Sequence, residues 1–372
     1  MKQTTFTDKN TSDVTFYIDK DEHLKGLRTL NLDDYDRFII VIDQNIAEDY
    51  LELVLNPLKK FKKDLKVIEI RPTEINKGLD QSIKLIKELE TSTVGRYDLI
   101  ISIGGGFISD IVSFVASIYM RGIPYVAIPT TLIGQVDAVT AGKTCINGPE
   151  TKNLLGTFYF PSYVYNNINF LETLPIRELR QGWSEIFKYA LLDSKNLLSL
   201  LSKYFSKKQN STLIEIIEET IRVRLKIRRV DPLSSNLGHT FGHAFEKISN
   251  YRISHGDAIA SGILMATKFG EEVNISKSGL HDRVYQLMTE FSLNVNFHPD
   301  FDPKKVSKIM LRDKKSSSTR INLVLLKDIA EPYYGESLPF YSTDEDTMSI
   351  FIQNYFAERS DRLNSDLYNV LS

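Results

Sequence analysis

Residues 97–106 read Tyr-Asp-Leu-Ile-Ile-Ser-Ile-Gly-Gly-Gly, a β-branched apolar run that ends in three glycines. A run of this kind predicts a strand that is buried on both faces. The glycines precede a helix predicted to begin near Ile108, so a phosphate or pyrophosphate could approach backbone amides at the helix N-terminus. The spacing is not G-x-G-x-x-G, and a tight turn without a ligand explains the glycines equally well.

Similar apolar runs recur on both sides of this stretch. They occupy residues 38–42, 66–70 and 125–129, and a helical pattern covers residues 79–89. Short apolar strands that alternate with helices predict a parallel sheet covered by helices. We therefore expect an N-terminal Rossmann-like α/β domain over residues 1–169.

After about Asn169 the pattern becomes mainly helical, with one strand-like run at residues 321–326 and a charged helical tail beyond Thr343. Four long segments carry the helical pattern: 176–192, 211–230, 238–248 and 255–273. We expect a second, mainly α-helical domain over residues 170–372.

The composition excludes several classes of protein. The chain has 372 residues, 42% of them hydrophobic, and a net charge of −2, which favours neither nucleic acid nor an acidic membrane. Cys145 is the only cysteine, so an internal disulfide and a cysteine-based zinc cluster are excluded. The polar N-terminus lacks a signal-peptide pattern and no apolar run approaches the length of a membrane span. We expect a cytoplasmic protein.

Two of the six histidines lie four residues apart in Asn-Leu-Gly-His-Thr-Phe-Gly-His, residues 236–243, and His255 follows. Residues four apart share a helix face, so His239 and His243 with His255 could form part of a metal site. Gly238 and Gly242 leave room for something to approach. A buried helix with two hydrogen-bonded histidines is the alternative.

An acidic residue could complete that site. Glu185 and Lys188 lie three apart in an apolar helical segment, where charges need a reason. A carboxylate beside two histidines makes a His/His/Glu set with an open position for substrate oxygens. The alternative is an ordinary Glu185–Lys188 helix pair.

Polar residues also follow two of the predicted strands. Asp43 could bind a ribose hydroxyl or cap a helix. Two lysines and an asparagine in the later series suit a phosphate or a polyhydroxy substrate, although a solvated loop is the simpler explanation for any one lysine. That series is Thr130, Thr131, Asp137, Lys143, Lys152 and Asn153.

Taken in order, these motifs resemble the 3-dehydroquinate synthase family, one of the sugar phosphate cyclases, which are related in fold to glycerol dehydrogenases. The resemblance runs from about Asp43 to Lys315. The matching motifs are G104-G-G-x-x-x-D110, Y119-M-R-G-I-P124, I128-P-T-T-L132, Q135-V-D137, G142-K-T144, K152-N153, E185-x-x-K-Y189, G238-H-T-x-G-H243, H255-G256 and R312-D-K-K315.

The resemblance implies a dehydroquinate synthase-like fold, NAD on the α/β domain, and zinc or cobalt on Glu185, His239 and His255. In that interpretation His243 is not a ligand but lies beside the substrate, where it helps proton transfer. The residues implied in NAD binding are Asp43, Glu74, Lys77, Gly105, Gly106, Asp110, Thr130, Thr131, Thr173, Leu174 and Glu178.

The resemblance also implies a phosphorylated sugar substrate and a homodimer, with Arg121 donated by the partner subunit. Arg121, Lys143, Asn153 and Lys314 or Lys315 would bind the phosphate. Asp137, Lys152, Lys188, Lys226 and Asn236 would contact the rest of the substrate. The implied chemistry oxidises one carbon, eliminates phosphate, returns the hydride and closes the ring by an aldol step, so NAD is not consumed.

One segment departs from the family pattern. The loop before Asn236 is short, Pro232 stands where the family has an arginine expected to bind the substrate carboxylate, and Ser235 replaces a leucine. Arg228 or Arg229 could substitute. The substrate is then either the acid sugar phosphate of 3-dehydroquinate synthase, which we favour, or one without a carboxylate, such as sedoheptulose 7-phosphate or glucose 6-phosphate. A polyol dehydrogenase and a non-catalytic scaffold are the remaining alternatives.

Overall fold

The structure is a computed structural model that describes residues 1–8, 11–73, 76–140, 142–149, 152–230, 234–295, 301–313, 316, 319–335 and 339–371. Within this part of the chain, side chains are described except at 6–8, 11–13, 230 and 360–371. The chain divides into two compact units, one of residues 1–182 and 209–221 and the other of residues 183–208 and 222–372. The chain divides at three points, of which 182/183 and 221/222 fall within helices and 208/209 falls between two helices. The predicted boundary at residue 169 lies before the first of them.

The first unit contains a seven-stranded sheet in the order β1-β2-β7-β6-β5-β3-β4. Strands β1 and β2 pair antiparallel, and all other neighbours pair parallel. The strands are β1 Lys2–Asp8, β2 Thr11–Asp19, β3 Arg37–Asp43, β4 Asp64–Ile70, β5 Leu99–Gly104, β6 Tyr125–Pro129 and β7 Tyr163–Asn167.

Burial explains why the centre of this sheet forms. Every residue of β5 and β6 is buried, as are the five central residues of β3. Continuous β-branched runs suit strands whose two faces are both covered. The helices that connect the strands are α1 Gln44–Leu58, α2 Leu79–Thr91 and α3 Gly106–Ile118.

The second unit is mainly helical and is described by itself. Two further helices, α4 Ile176–Asp193 and α6 Asn210–Val230, each contain one of the points where the chain divides. The rest are α5 Lys195–Lys207, α7 His239–Ile248, α8 His255–Glu272, α9 Leu280–Glu290, α10 Pro303–Met310 and α11 Glu345–Leu371. Short strands pair as β8 Ile321–Leu323 with β11 Tyr341–Thr343, and β9 Leu326–Asp328 with β10 Glu331–Pro332.

These elements confirm the predicted fold class. The four predicted parallel strands are β3, β4, β5 and β6, and the predicted helices correspond to α2, α4, α6, α7 and α8, with ends that differ by one or two residues. The run at residues 321–326 contributes to two strands, β8 and β9. Among the described helices, none combines the length and apolar character needed to cross a membrane.

Candidate active site

The close approach of helices α7 and α8 builds the centre of the site. Gly238 caps α7 with φ +76°, and a Cβ there would lie 2.7 Å from the backbone nitrogen of Ile263. A Cβ on Gly262 would lie 2.1 Å from the carbonyl oxygen of Gly238. The room that the sequence predicts at Gly238 and Gly242 is therefore filled by α8, since Gly242 faces the carbonyl of Ala258.

Three side chains converge where these helices meet α4. Glu185 Oε1 lies 3.5 Å from His239 Nε2 and 3.3 Å from His255 Nε2. One ligand atom from each residue lies within 4.8 Å of the others. Two imidazoles and one carboxylate are a donor set that binds zinc and related divalent cations and leaves a coordination position open. The arrangement can therefore hold such an ion.

Hydrogen bonds behind the imidazoles fix which nitrogen faces Glu185. His239 Nδ1 lies 3.1 Å from the carbonyl oxygen of Leu237. His255 Nδ1 lies 3.2 Å from the carboxylate of Glu246, which is buried. An acceptor at Nδ1 leaves the lone pair of a neutral imidazole on Nε2, the nitrogen that faces the other ligands.

The two carboxylates also set the charge of His255. Burial lowers the pKa of this imidazole, but Glu246 and Glu185 outweigh burial and raise the pKa to about 10. A proton and a metal ion compete for the same nitrogen, so metal binding at His255 releases a proton.

Glu185 and Lys188 form an ion pair on α4 that is almost completely buried. Their side chains are 1% and 2% exposed, and Lys188 Nζ contacts Glu185 Oε2. The two residues therefore do form a helix pair, but it is buried and does not lie on the surface. Lys188 Nζ also lies 4.2 Å from the centre of the Tyr189 ring, and the hydroxyl of Tyr189 accepts a hydrogen bond from Arg224. Loss of one partner of a buried pair leaves an uncompensated charge.

His243 belongs to the same helix face but has a different partner. Its Nδ1 lies 2.9 Å from Asp313 Oδ2, and its ring centre lies 5.2 Å from that of His239. His243 is outside the group of three converging ligand atoms. The two histidines four residues apart therefore have different partners: His239 faces Glu185, and His243 contacts Asp313.

In the first unit, the triple glycine lies at the end of β5. A Cβ on Gly105 would lie 3.0 Å from Thr131, and a Cβ on Gly104 would lie 3.2 Å from Cβ of Asp43. Helix α3 begins at Gly106, and its first amides have no partner within the helix. Asp43 caps α1 by accepting a hydrogen bond from the amide of Asn45 at 2.8 Å, and burial raises the pKa of Asp43.

Lys77 contacts two residues that the sequence analysis assigned to different ligands, one to NAD and one to the substrate phosphate. Its Nζ lies 2.6 Å from Asp110 Oδ2, an expected NAD contact, and donates to Asn153 Oδ1, an expected phosphate contact, at 2.7 Å. Lys77 and Asp110 are both buried. The backbone carbonyl of Lys77 also accepts a hydrogen bond from Asn147 at 2.6 Å, so the segment that carries Asn153 is attached to the start of α3.

The other predicted residues differ in exposure. In the first unit, Lys143 and Arg121 are exposed, Thr130 is buried and Asp137 and Lys152 are half-buried. Thr173 bonds the hydroxyl of Tyr50 at 2.6 Å, Leu174 bonds the carbonyl of Leu171, and Glu178 accepts from Gln181. In the second unit, Asn236 is half-buried, and Lys226 is exposed and paired with Asp193 at 2.6 Å.

Four positions discussed from the sequence lie outside the described residues: Glu74, Pro232, Lys314 and Lys315. Two side chains at the site were missed by the sequence analysis, Glu246 and Asp313. Glu246 lies three residues after His243 on α7, so helical spacing could have placed it on the histidine face. Asp313 lies in the motif of residues 312–315, where only the lysines received a role.

Comparisons with known proteins match most of the chain. The sequence model for 3-dehydroquinate synthase N-terminal matches residues 67–181, and that for 3-dehydroquinate synthase C-terminal matches residues 182–316. A curated 3-dehydroquinate synthase of Clostridium kluyveri is 34% identical over 301 residues, which cover 78% of this chain and 83% of the relative.

Two solved structures share the fold. A 2-deoxy-scyllo-inosose synthase complexed with carbaglucose-6-phosphate, NAD+ and Co2+ superposes with a TM-score of 0.86 at 21% identity, covering 95% of this chain and 99% of that one. A 2-epi-5-epi-valiolone synthase of Streptomyces hygroscopicus with NAD+ and Zn2+ bound gives a TM-score of 0.81 at 24% identity, covering 95% and 100%.

Proposed function

The chain belongs to the 3-dehydroquinate synthase family, and we propose that it is a sugar phosphate cyclase, a carbon–oxygen lyase that eliminates phosphate from its substrate. The observation that carries the proposal is the convergence of Glu185, His239 and His255 on one point, with ligand atoms within 4.8 Å of one another. We propose that these three residues hold a divalent metal, zinc or cobalt.

The residues fit such an ion because all three donors suit it and both imidazoles are held by acceptors at Nδ1. A bound metal ion would supply Lewis acidity toward a substrate hydroxyl. Lys188 neutralises one oxygen of Glu185 and keeps the carboxylate in place. His243 lies beside the ligands with Asp313 at its Nδ1, and we propose that it transfers a proton at the substrate.

The turn after β5 supports NAD binding in the first unit. Gly105 lets the turn pack closely against Thr131, since a Cβ there would lie 3.0 Å from it. We propose that the first backbone amides of α3 bind the pyrophosphate. NAD would supply a hydride acceptor that also returns the hydride, and it is therefore not consumed. Further NAD contacts are assigned to Asp43, Glu74, Lys77, Gly106, Asp110, Thr130, Thr173, Leu174 and Glu178.

Cationic and amide side chains are assigned to the phosphorylated sugar. Lys143, Asn153 and Lys314 or Lys315 would bind its phosphate, since lysines provide the positive charge that phosphate requires. Asp137, Lys152, Lys188, Lys226 and Asn236 would contact its hydroxyl or acid groups. Arg121 is exposed and follows Met120 in a left-handed turn, at φ 67° and 49°. We propose a homodimer in which Arg121 reaches the phosphate of the partner's substrate.

Two features bear on which sugar is bound. Family membership favours the acid sugar phosphate of 3-dehydroquinate synthase. Pro232 offers no donor to a carboxylate, which favours a specialised cyclase acting on sedoheptulose 7-phosphate or glucose 6-phosphate. A polyol dehydrogenase shares the fold, but it needs no phosphate-binding group comparable to Lys143, Lys152 and Asn153.

We place the enzyme in the cytoplasm, in keeping with its one cysteine.

The decisive experiment follows inorganic phosphate release and NADH absorbance together. The purified protein receives NAD, zinc or cobalt, and in turn 3-deoxy-arabino-heptulosonate 7-phosphate, sedoheptulose 7-phosphate and glucose 6-phosphate. We expect phosphate release without accumulation of NADH, and the active sugar decides what Pro232 means. NADH accumulation without phosphate release would instead identify a polyol dehydrogenase, and metal binding without any turnover would identify a non-catalytic protein.

A further inference from the structure

We propose that Asp313 is a positioning residue that fixes the tautomer and the orientation of His243. The inference rests on the proposed function in one respect, namely that His243 transfers a proton at the substrate. Its structural part concerns only two side chains of the second unit, His243 on α7 and Asp313 in the turn after α10.

The contact itself determines which nitrogen carries the proton. Asp313 Oδ2 lies 2.9 Å from His243 Nδ1, within normal hydrogen-bond distance. An ionised carboxylate can only accept, so Nδ1 must be the donor. A neutral His243 therefore has its lone pair on Nε2, which is the nitrogen available to accept a proton from the substrate.

The side chains of Asp313 and His243 differ in how far they are exposed to solvent. The side chain of Asp313 is 6% exposed, whereas that of His243 is 34% exposed. A buried carboxylate keeps its acceptor oxygens away from water, and an accessible imidazole can meet a ligand. This combination resembles a carboxylate that orients a catalytic histidine rather than an ion pair on the surface.

The turn that carries Asp313 is held by its own hydrogen bonds. The amide of Asp313 donates to the carbonyl of Met310 at 3.1 Å, and the amide of Ser316 donates to the carbonyl of Asp313 at 2.8 Å. The hydroxyl of Ser316 also donates to the carbonyl of Met310 at 2.9 Å. Helix α10, which precedes the turn, packs against α7. The carboxylate is thus placed by the backbone of its own turn.

His243 lies beside the proposed metal set but is not one of its three residues. Its ring centre lies 5.2 Å from that of His239 and 6.4 Å from that of His255, so it adjoins both proposed ligands. However, its Nδ1 faces Asp313, and the converging ligand atoms come from Glu185, His239 and His255. His243 is therefore beside the ion's position with a separate carboxylate of its own.

The test combines tautomer determination with kinetics. Protein labelled with 15N at histidine, loaded with zinc and NAD, is examined by long-range 1H–15N correlation, and the His243 signals are assigned by their loss in His243→Asn. We expect the Nδ1–H tautomer in the wild type and a shift toward Nε2–H in Asp313→Asn. The kcat of Asp313→Asn should fall roughly 10–100-fold, as for other residues that orient functional imidazoles.

Other properties of Asp313→Asn should not change. Zinc content, NAD affinity and KM for the sugar phosphate are expected to stay within about twofold of the wild type, because the contact removed is the one that Asp313 makes with His243, which is outside the proposed metal set. Asp346→Asn is the matched control, since Asp346 is an exposed carboxylate in the first turn of α11 of the same unit. It removes one charge without touching His243.

Three results would overturn the inference: an Nε2–H tautomer in the wild type, an unchanged tautomer in Asp313→Asn, or an altered tautomer with unchanged kcat. The wild-type spectrum does not depend on Asp313→Asn, so poor folding of that variant would not remove the test. Failure of the proposed function looks different, because then no sugar phosphate is turned over by the wild type while the spectrum still reports the tautomer.

Discussion

Replacement of Glu246 by glutamine tests how far the proposed metal site depends on the group behind a ligand. The carboxylate of Glu246 is 5% exposed and lies 3.2 Å from Nδ1 of His255. Glutamine keeps the size of the side chain and an acceptor oxygen but removes the charge. We therefore expect Glu246→Gln to fold and to bind zinc less tightly than the wild type, because His255 loses the carboxylate that orients it and increases its basicity.

The expected change in zinc affinity follows from replacing a charged hydrogen-bond acceptor by a neutral one. A hydrogen bond to a charged group contributes about 1.5–3 kcal/mol and a neutral one about 0.5–1.5 kcal/mol. The difference of roughly 1–1.5 kcal/mol corresponds to about a tenfold increase in Kd for zinc. Loss of a ligand in His255→Ala should cost far more, because two residues hold zinc poorly.

Zinc affinity is measured by competition with a chelator of known affinity at constant pH. Glu272→Gln, which removes an exposed carboxylate from the end of α8, is the matched control and should keep the wild-type Kd. If Glu246→Gln binds zinc within a factor of two of the wild type while His255→Ala does not bind, Glu246 does not support the ligand. Unchanged binding in His255→Ala would refute the metal site itself.

Three further predictions concern separate parts of the molecule. Lys143→Ala should raise KM for the sugar phosphate at least about tenfold and leave the Kd for NAD nearly unchanged; equal losses would contradict the phosphate role. Gly262→Ala should cost roughly 1–3 kcal/mol in urea unfolding and weaken zinc binding, because its Cβ would lie 2.1 Å from the carbonyl oxygen of Gly238. Burial lowers the pKa of His281. The contribution of neutral His281 to the stability of the folded protein is therefore complete above the pKa of a histidine in the unfolded chain, about 6.5, and is lost as pH falls through the lower pKa of the folded state. His281→Gln should therefore lose less Tm than the wild type on acidification.

Strands β3 to β6 could be predicted from the sequence, but β1, β2 and β7 of the same sheet were not. Strands β3, β5 and β6 are continuous apolar runs, which local pattern identifies well. Strand β7 ends in Asn166 and Asn167, residues that disfavour strands, yet both are buried. Their side-chain nitrogens donate to distant carbonyls: Asn166 donates to the carbonyl of Gln135 at 3.3 Å and Asn167 to that of Asp21 at 2.9 Å. Such partners are invisible to a local pattern.

The glycines beside the histidines show a second limit. The sequence indicates that Gly238 and Gly242 leave room, but not what enters it. The structure fills that room with the backbone of α8, so the glycines act by bringing His255 to His239. A small residue on a helix face predicts a close approach, whereas the identity of the approaching group depends on how distant segments pack.

The histidines themselves show why spacing alone leaves a site ambiguous. His239 and His243 lie on one face of α7, as their spacing predicts, and both a ligand pair and a hydrogen-bonded pair fit that spacing. What separates them is the partner that each imidazole meets. His239 faces Glu185 at 3.5 Å, from a helix earlier in the chain, and His243 meets Asp313 at 2.9 Å, from a turn seventy residues later. The two histidines therefore differ in their partners, because long-range contacts and not local periodicity decide what an imidazole meets.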